Sequence, residues 1–166
     1  TGLPLTTGVT GALPVANGGT GATNATTARA NLGVPGYCLT LLTTAGAPET
    51  SSTTYYVGGF MGAPNATSFS NAAVRVPKSG TIKSVFVKVR LNTVASSQTV
   101  NHYIRINNTT DCAQIQGSYD SNPFSGSVDN VNQTVSAGDM IALKIVCPSW
   151  TTEPTGVWFY CSVYIE

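Results

Sequence analysis

Four stretches of the chain alternate apolar and polar residues with a period of two. In 84–92, Val85, Val87, Val89 and Leu91 alternate with Ser84, Phe86, Lys88, Arg90 and Asn92. In 100–107, Val100, His102, Ile104 and Ile106 stand opposite Asn101, Tyr103, Arg105 and Asn107. Further on, Ile141, Leu143, Ile145 and Cys147 alternate with Met140, Ala142, Lys144 and Val146. The last pattern sets Val157, Phe159, Cys161, Val163 and Ile165 against Trp158, Tyr160, Ser162 and Tyr164. Successive side chains of a strand point to opposite faces, so this period predicts half-buried strands. Weaker strand patterns lie at 38–44, 54–60, 73–76 and 128–135. The total is about eight or nine short strands joined by Gly, Pro, Asn and Ser loops, with no helical period among them, which predicts an all-β, two-sheet sandwich of the jelly-roll kind.

The final strand is apolar on both faces. An antiparallel strand that is half exposed keeps one polar face, so the face bearing Trp158, Tyr160 and Tyr164 needs a cover. One reading supplies a partner subunit; the other supplies loops of the same chain.

Residues 1–36 have a different texture, with a single charge at Arg29 and a crowd of Gly, Thr and Ala. Leu3-Pro4-Leu5-Thr6-Thr7-Gly8 is echoed by Leu13-Pro14-Val15-Ala16-Asn17-Gly18-Gly19-Thr20-Gly21. Repeats too small to bury their own apolar side chains bury them against neighbouring copies. Leu3, Leu5, Val9, Leu13 and Val15 therefore predict three chains wound about one axis, the alternative being a flexible linker, which Gly and Thr also favour. A short helix is expected near 24–32, with Thr23 or Asn24 as its cap, alanines inside, and Gly33 and Pro35 as its stop. About two turns do not hold alone in water, so Leu32 at its end also asks for a partner. The division expected is a neck at 1–36 and a β-sandwich head at 37–166.

The run LPVANGGTGATNATTARANLG at 13–33 resembles a linking element of phage tail fibres and related viral attachment proteins, found just before a distal head. The resemblance implies a homotrimeric fibre on the virion surface, outside the cell, with more of the fibre preceding Thr1. A second, looser likeness covers Val135-Ser136-Ala137-Gly138-Asp139-Met140-Ile141-Ala142-Leu143 and the closing aromatic strand. These resemble the last strands of the tumour-necrosis-factor and complement-head superfamily, where the closing strand lies near a three-fold axis. The resemblance implies a jelly-roll head whose trimer interface includes Trp158, Tyr160 and Tyr164, continuing Leu13, Val15 and Leu32 of the neck.

Composition narrows the partners. Charged residues make up 9% of the chain and the formal net charge is +1, against roughly a quarter charged in an average soluble domain. Nucleic acids and anionic membranes select basic patches, so neither is an expected partner. No segment approaches the ~20 apolar residues of a membrane-crossing helix, and no signal peptide is legible. Cys38, Cys112, Cys147 and Cys161 are scattered, without a C-x-x-C pair, so neither a disulfide scaffold nor a zinc site is expected.

Catalytic chemistry is sparse. The single imidazole, His102, falls on the apolar side of its strand and reads as a hydrogen-bonded core residue rather than a general base. Glu49, Asp111, Asp120, Asp129, Asp139, Glu153 and Glu166 form no recognisable glycosidase pair, and Asp139 reads as a turn residue. No enzyme activity, cofactor or metal is expected. Binding on a rigid sandwich falls to loops, here 62–72, 117–127 and 148–156. Tyr119, Asp120, Asn122 and Phe124 of the second and Trp150 and Glu153 of the third offer aromatic platforms with amide or carboxylate hydrogen bonds. That chemistry suits a host-surface glycan, with a protein receptor as the alternative. The same aromatics can instead pin their own loops to the core. Two other functions remain: a trimerisation cap that ends the fibre without meeting a receptor, and a hydrolase of surface polysaccharide.

Overall fold

The computed structural model describes residues 11–42, 50–59 and 67–166. The neck positions Leu3, Leu5 and Val9, residue Glu49 and parts of the 38–44, 54–60 and 62–72 segments lie outside them. The chain divides into two compact units, Thr1–Gly36 and Tyr37–Glu166.

In the first unit the glycines of Asn-Gly-Gly-Thr-Gly each meet a local demand. A 3-10 turn at Val15–Asn17 ends at Gly18, whose left-handed φ of 81° lets its N–H reach Val15 O. At Gly19 a Cβ would sit 2.1 Å from Leu13 O, a distance only glycine tolerates. Helix α1 spans Ala25–Asn31, and the Asn24 side chain caps it by accepting from Thr27 N at 2.9 Å. It ends in a Schellman arrangement, with Val34 N donating to Arg29 O and Gly33 N to Ala30 O while Gly33 takes a φ of 62°. Asn31 Nδ2 donates back to Thr20 O at 2.7 Å, tying the helix end to the glycine turn. The 13–33 motif therefore encodes a defined turn and helix. Leu13 is half-buried in it, while Val15, Leu32 and Val34 are exposed.

The second unit is an all-β jelly roll. Its strands are β1 (Tyr37–Leu42), β2 (Thr54–Val57), β3 (Val74–Arg75), β4 (Gly80–Arg90), β5 (Thr99–Ile106), β6 (Thr110–Ser118), β7 (Phe124–Val135), β8 (Met140–Val146) and β9 (Trp158–Ile165). They form a β1-β9-β4-β7 sheet and a β2-β8-β5-β6 sheet, all pairs antiparallel, with β3 also on β8. β2 pairs with 143–146 and β3 with 140–141 of β8, whose other edge belongs to β5. β2 and β3 are thus one edge strand with an interruption. Counted so, the two sheets have the alternating order of a double Greek key.

The core between the sheets is filled by the apolar positions that alternate along the strands. Val85, Val87, Val89, Val100, Ile104, Ile141, Leu143, Ile145 and the inner set of β9 are all buried. The structure adds two elements to the sequence pattern. β6 lies where no alternation marks a strand, and the 62–72 segment contains a one-turn helix, α2 (Phe69–Ala72). Phe69 and Ala72 pack on Ala142 from outside the sandwich, which is why Ala142, on the outward side of β8, is buried as well.

Candidate functional site

The loop residues expected to grip a ligand divide into three groups. Tyr119 is fully buried and Trp150 is 8% exposed, so neither offers a ring face to solvent. They stack on each other at 5.8 Å with planes 25° apart, and Phe124 stacks on His102 at 5.5 Å and 12°. The expectation of an aromatic platform is corrected here: these rings form one aromatic plug in the core, with His102 at its centre. The cause is length, because β6 and β7 extend into the supposed 117–127 loop from both ends and carry Tyr119 and Phe124 inward.

Asn122 and Glu153 form the second group and act as braces. The Asn122 amide both accepts from Leu91 N at 3.0 Å and donates to Leu91 O at 2.6 Å, pairing with the chain beyond β4 as a strand would. The Glu153 carboxylate accepts from Ser51 N at 2.8 Å. Asp120 stands apart from both groups and is exposed.

His102 and Asp139 are also engaged. The His102 Nδ1 lies 3.1 Å from Ile115 O and Nε2 lies 2.7 Å from the Tyr119 hydroxyl. Burial pushes its pKa down to about 4, against a smaller upward pull from the Ile115 carbonyl. Asp139 accepts from Asn107 Nδ2 at 2.9 Å and from Ser136 N at 2.8 Å, and these bonds hold its carboxyl below the ordinary range. It is a turn clamp, joining the β5–β6 hairpin to the start of β8.

The residues expected at a subunit interface lie elsewhere. On the outer face of β1-β9-β4-β7, register places Leu42, Tyr160 and Lys88 in one cross-strand row and Cys38, Tyr164 and Ser84 in another. Trp158 is opposite Arg90, whose guanidinium lies 5.7 Å from the indole centroid. Tyr160 and Phe86 meet edge to face at 6.3 Å, and they are 44% and 38% exposed. Trp158 and Tyr164 are half-buried. No loop of the described residues covers the Phe86–Tyr160 pair. Phe86 is a member of this patch that the strand pattern places on the outer face without marking it as an interface residue. The signal available is its phase, since it shares the outward side of β4 with Lys88 and Arg90.

No protein-family model matches the chain, and no curated protein does. Among solved structures it is similar to the Eiger tumour necrosis factor of S. frugiperda, at 14% identity over 80% of this chain and 94% of that one, with a TM-score of 0.46. A Podospora anserina β-(1,4)-mannanase that joins GH26 and CBM35 is also similar, at 14% identity and a TM-score of 0.34. The match covers 80% of this chain but 28% of the mannanase. At these values the jelly-roll assignment rests on the strand order itself, and neither likeness says what the chain binds.

Proposed function

We propose that the chain is the distal part of a viral attachment fibre, a homotrimer whose heads adsorb to a host-surface glycan without cleaving it. The observation that carries the reading is apolar surface left in water on both units. Val15, Leu32 and Val34 are 52%, 57% and 50% exposed in the neck, and Phe86 and Tyr160 are exposed on one sheet face of the head. Scattered single apolar residues need no explanation, but Phe86 and Tyr160 meet edge to face and form one continuous apolar spot, which supports an interaction site there. The neck motif, with its glycine turn and capped helix, supports a fibre context for that association. Three weak sites on one rigid assembly gain by avidity, which suits attachment. A role in binding rather than catalysis is supported by His102, the single imidazole, being sealed in the core.

Sedimentation equilibrium is the first test: the expected particle has three times the 17.2 kDa chain mass, and a folded monomer at high concentration overturns the reading. Labelled trimer is then presented to a panel of bacterial and animal cells. Adsorption to some of them is expected, whereas a trimer that ignores all of them is a structural cap. Incubation with surface polysaccharide and a viscosity measurement separates adhesion from hydrolysis, since falling viscosity would identify an enzyme.

A further inference from the structure

The opposite face of the head, the outside of β2-β8-β5-β6, is built differently from the aromatic patch. Register sets Tyr56, Lys144 and Tyr103 side by side across β2, β8 and β5. The next row holds Thr54, Val146, Asn101 and Gln116, and Arg105 lies beside Ala142 on one side and Asp111 on the other. Lys144 Nζ is 5.3 Å from the Tyr103 ring centroid and 2.6 Å from Asp111 Oδ2, while Arg105 Nη1 is 3.0 Å from Asp111 Oδ1. Gln114 and Gln116 both donate through Nε2 to Asn101 Oδ1, at 3.0 and 2.8 Å. At one border α2 rises as a shoulder, with Phe69 edge-to-face against Tyr56 at 5.8 Å.

We propose that this face binds an acidic oligosaccharide, with Lys144 and Arg105 receiving its carboxylate, Tyr56 and Tyr103 lying against its pyranose rings, and Asn101, Gln114 and Gln116 bonding its hydroxyls. The inference rests on the glycan-adhesion reading above and names the site and the chemical class of ligand.

Charge is the first argument. Apart from the neutral His102 in the core, the charged residues on these four strands are Arg105, Lys144 and Asp111. Two cations share one carboxylate, so the face keeps a positive charge that an anion would complete. Arg105 also donates through Nη2 to Asn108 O at 2.7 Å, which holds its guanidinium in place on this face. Surroundings are the second argument. Strands lie about 4.8 Å apart, so Tyr56 and Tyr103 flank Lys144 at a spacing of about 10 Å, room for a short oligosaccharide laid across the strands. The bonds among the amides leave the Gln114 and Gln116 Oε1 acceptors and the Asn101 Nδ2 donor unused, which is the mixed capacity that sugar hydroxyls require. A protein partner would call for buried apolar anchors. Apart from Val146 and the tyrosines, the outward apolar residues of these strands are Met140 and Ala142, and both pack with α2, so a saccharide fits better than an acidic peptide.

Isothermal titration of the trimer with sialyllactose and tetragalacturonate, against lactose and maltotetraose, tests the proposal. At least one acidic sugar is expected to bind about tenfold more tightly than its neutral counterpart, as a charge-assisted contact would give. Lys144→Gln should weaken that binding about tenfold. Asp111→Asn should strengthen it several-fold, by removing the internal competitor for both cations. Thermal unfolding of each variant identifies any that has merely lost its fold. Tyr103→Ala, which removes the ring beside Lys144 but neither member of the two ion pairs, should weaken both acidic and neutral sugars and serves as the second variant if Asp111→Asn fails to fold. Equal affinity for neutral sugars, weaker binding by folded Asp111→Asn, displacement by an equal concentration of sodium sulfate, or equal affinity for polyglutamate would each overturn the proposal. If labelled trimer adsorbs to cells but binds no acidic sugar, this inference falls and adhesion stands. If it neither adsorbs nor binds, both fall.

Discussion

The Tyr119 hydroxyl lies 2.7 Å from Nε2 of His102, and both side chains are fully buried. The other ring nitrogen faces Ile115 O at 3.1 Å, an atom that can only accept. Nδ1 therefore carries the proton, and Nε2 accepts from the tyrosine. In Tyr119→Phe the ring still stacks on Trp150, but a buried nitrogen loses its donor, which costs about 1–3 kcal/mol. Urea denaturation at neutral pH should show a lower midpoint with an unchanged slope. An unchanged midpoint would mean that the bond contributes nothing.

The same imidazole makes the head sensitive to acid. Its pKa is about 4 in the fold, against 6.5 ordinarily, so between these values the unfolded chain binds a proton that the native state does not. Stability then rises with pH across that window. The contribution is complete above pH 6.5 and falls as pH drops towards 4. It amounts to about 3 kcal/mol, since each tenfold change in proton affinity is worth roughly 1.4 kcal/mol. Denaturation at pH 7.5 and 4.5 should show the loss in the parent. In His102→Phe, which removes the titrating group, the part of the loss owed to His102 should vanish, leaving that of the carboxylates.

How far the sequence reveals this core depends on which side chains fill it. The inner positions of β4, β5, β8 and β9 are mostly Val, Ile, Leu and Phe, so their phase is read directly. β6 and β7 hide theirs, because inner positions are held by glycine: a Cβ on Gly117 would sit 2.0 Å from the Phe124 ring, and one on Gly126 2.6 Å from Ile115 Cγ2. The bulge in the β5–β6 pairing between His102 and Ile104, with Ala113 at a φ of 55°, breaks the period again. The facing ends of these two strands therefore read as a loop, and Tyr119 and Phe124 read as binding residues when Phe124 is the large group for which those glycines make room and Tyr119 is buried beside it. The face bearing Lys144 and Tyr103 is hidden for another reason. Its residues are far apart in sequence and meet only through cross-strand register.

Thiol labelling distinguishes the four cysteines, which are all thiols. Cys38 is exposed on β1, whereas Cys147 and Cys161 are buried. Burial, followed by the charge of Asp111, pushes Cys112 up to about 11, and burial pushes Cys161 up as well. The thiolate is the reactive form, so a disulfide reagent at pH 8 should modify Cys38 rapidly, the half-buried Cys112 more slowly because of its raised pKa, and Cys147 and Cys161 on the timescale of unfolding. Rapid modification of Cys147 or Cys161 would show that the sandwich opens more readily than its packing implies.

The edge-to-face pair of Phe86 and Tyr160 offers a test of how copies associate. Both are outward strand residues, so replacing them with Ser removes little from the folded single chain, where outward strand substitutions shift stability by at most about 1 kcal/mol. At the centre of a subunit interface each aromatic contributes about 2 kcal/mol or more. The double variant F86S/Y160S should therefore weaken association about a hundredfold or more, while the dissociated chain keeps the parent's circular dichroism spectrum and unfolds at a lower temperature for want of its partners. Sedimentation velocity over a concentration series reads the change. If the variant still forms the parent's oligomer at the lowest concentration, the aromatic face lies outside the interface, and the exposed Val15, Leu32 and Val34 of the neck become the place to look for the contact.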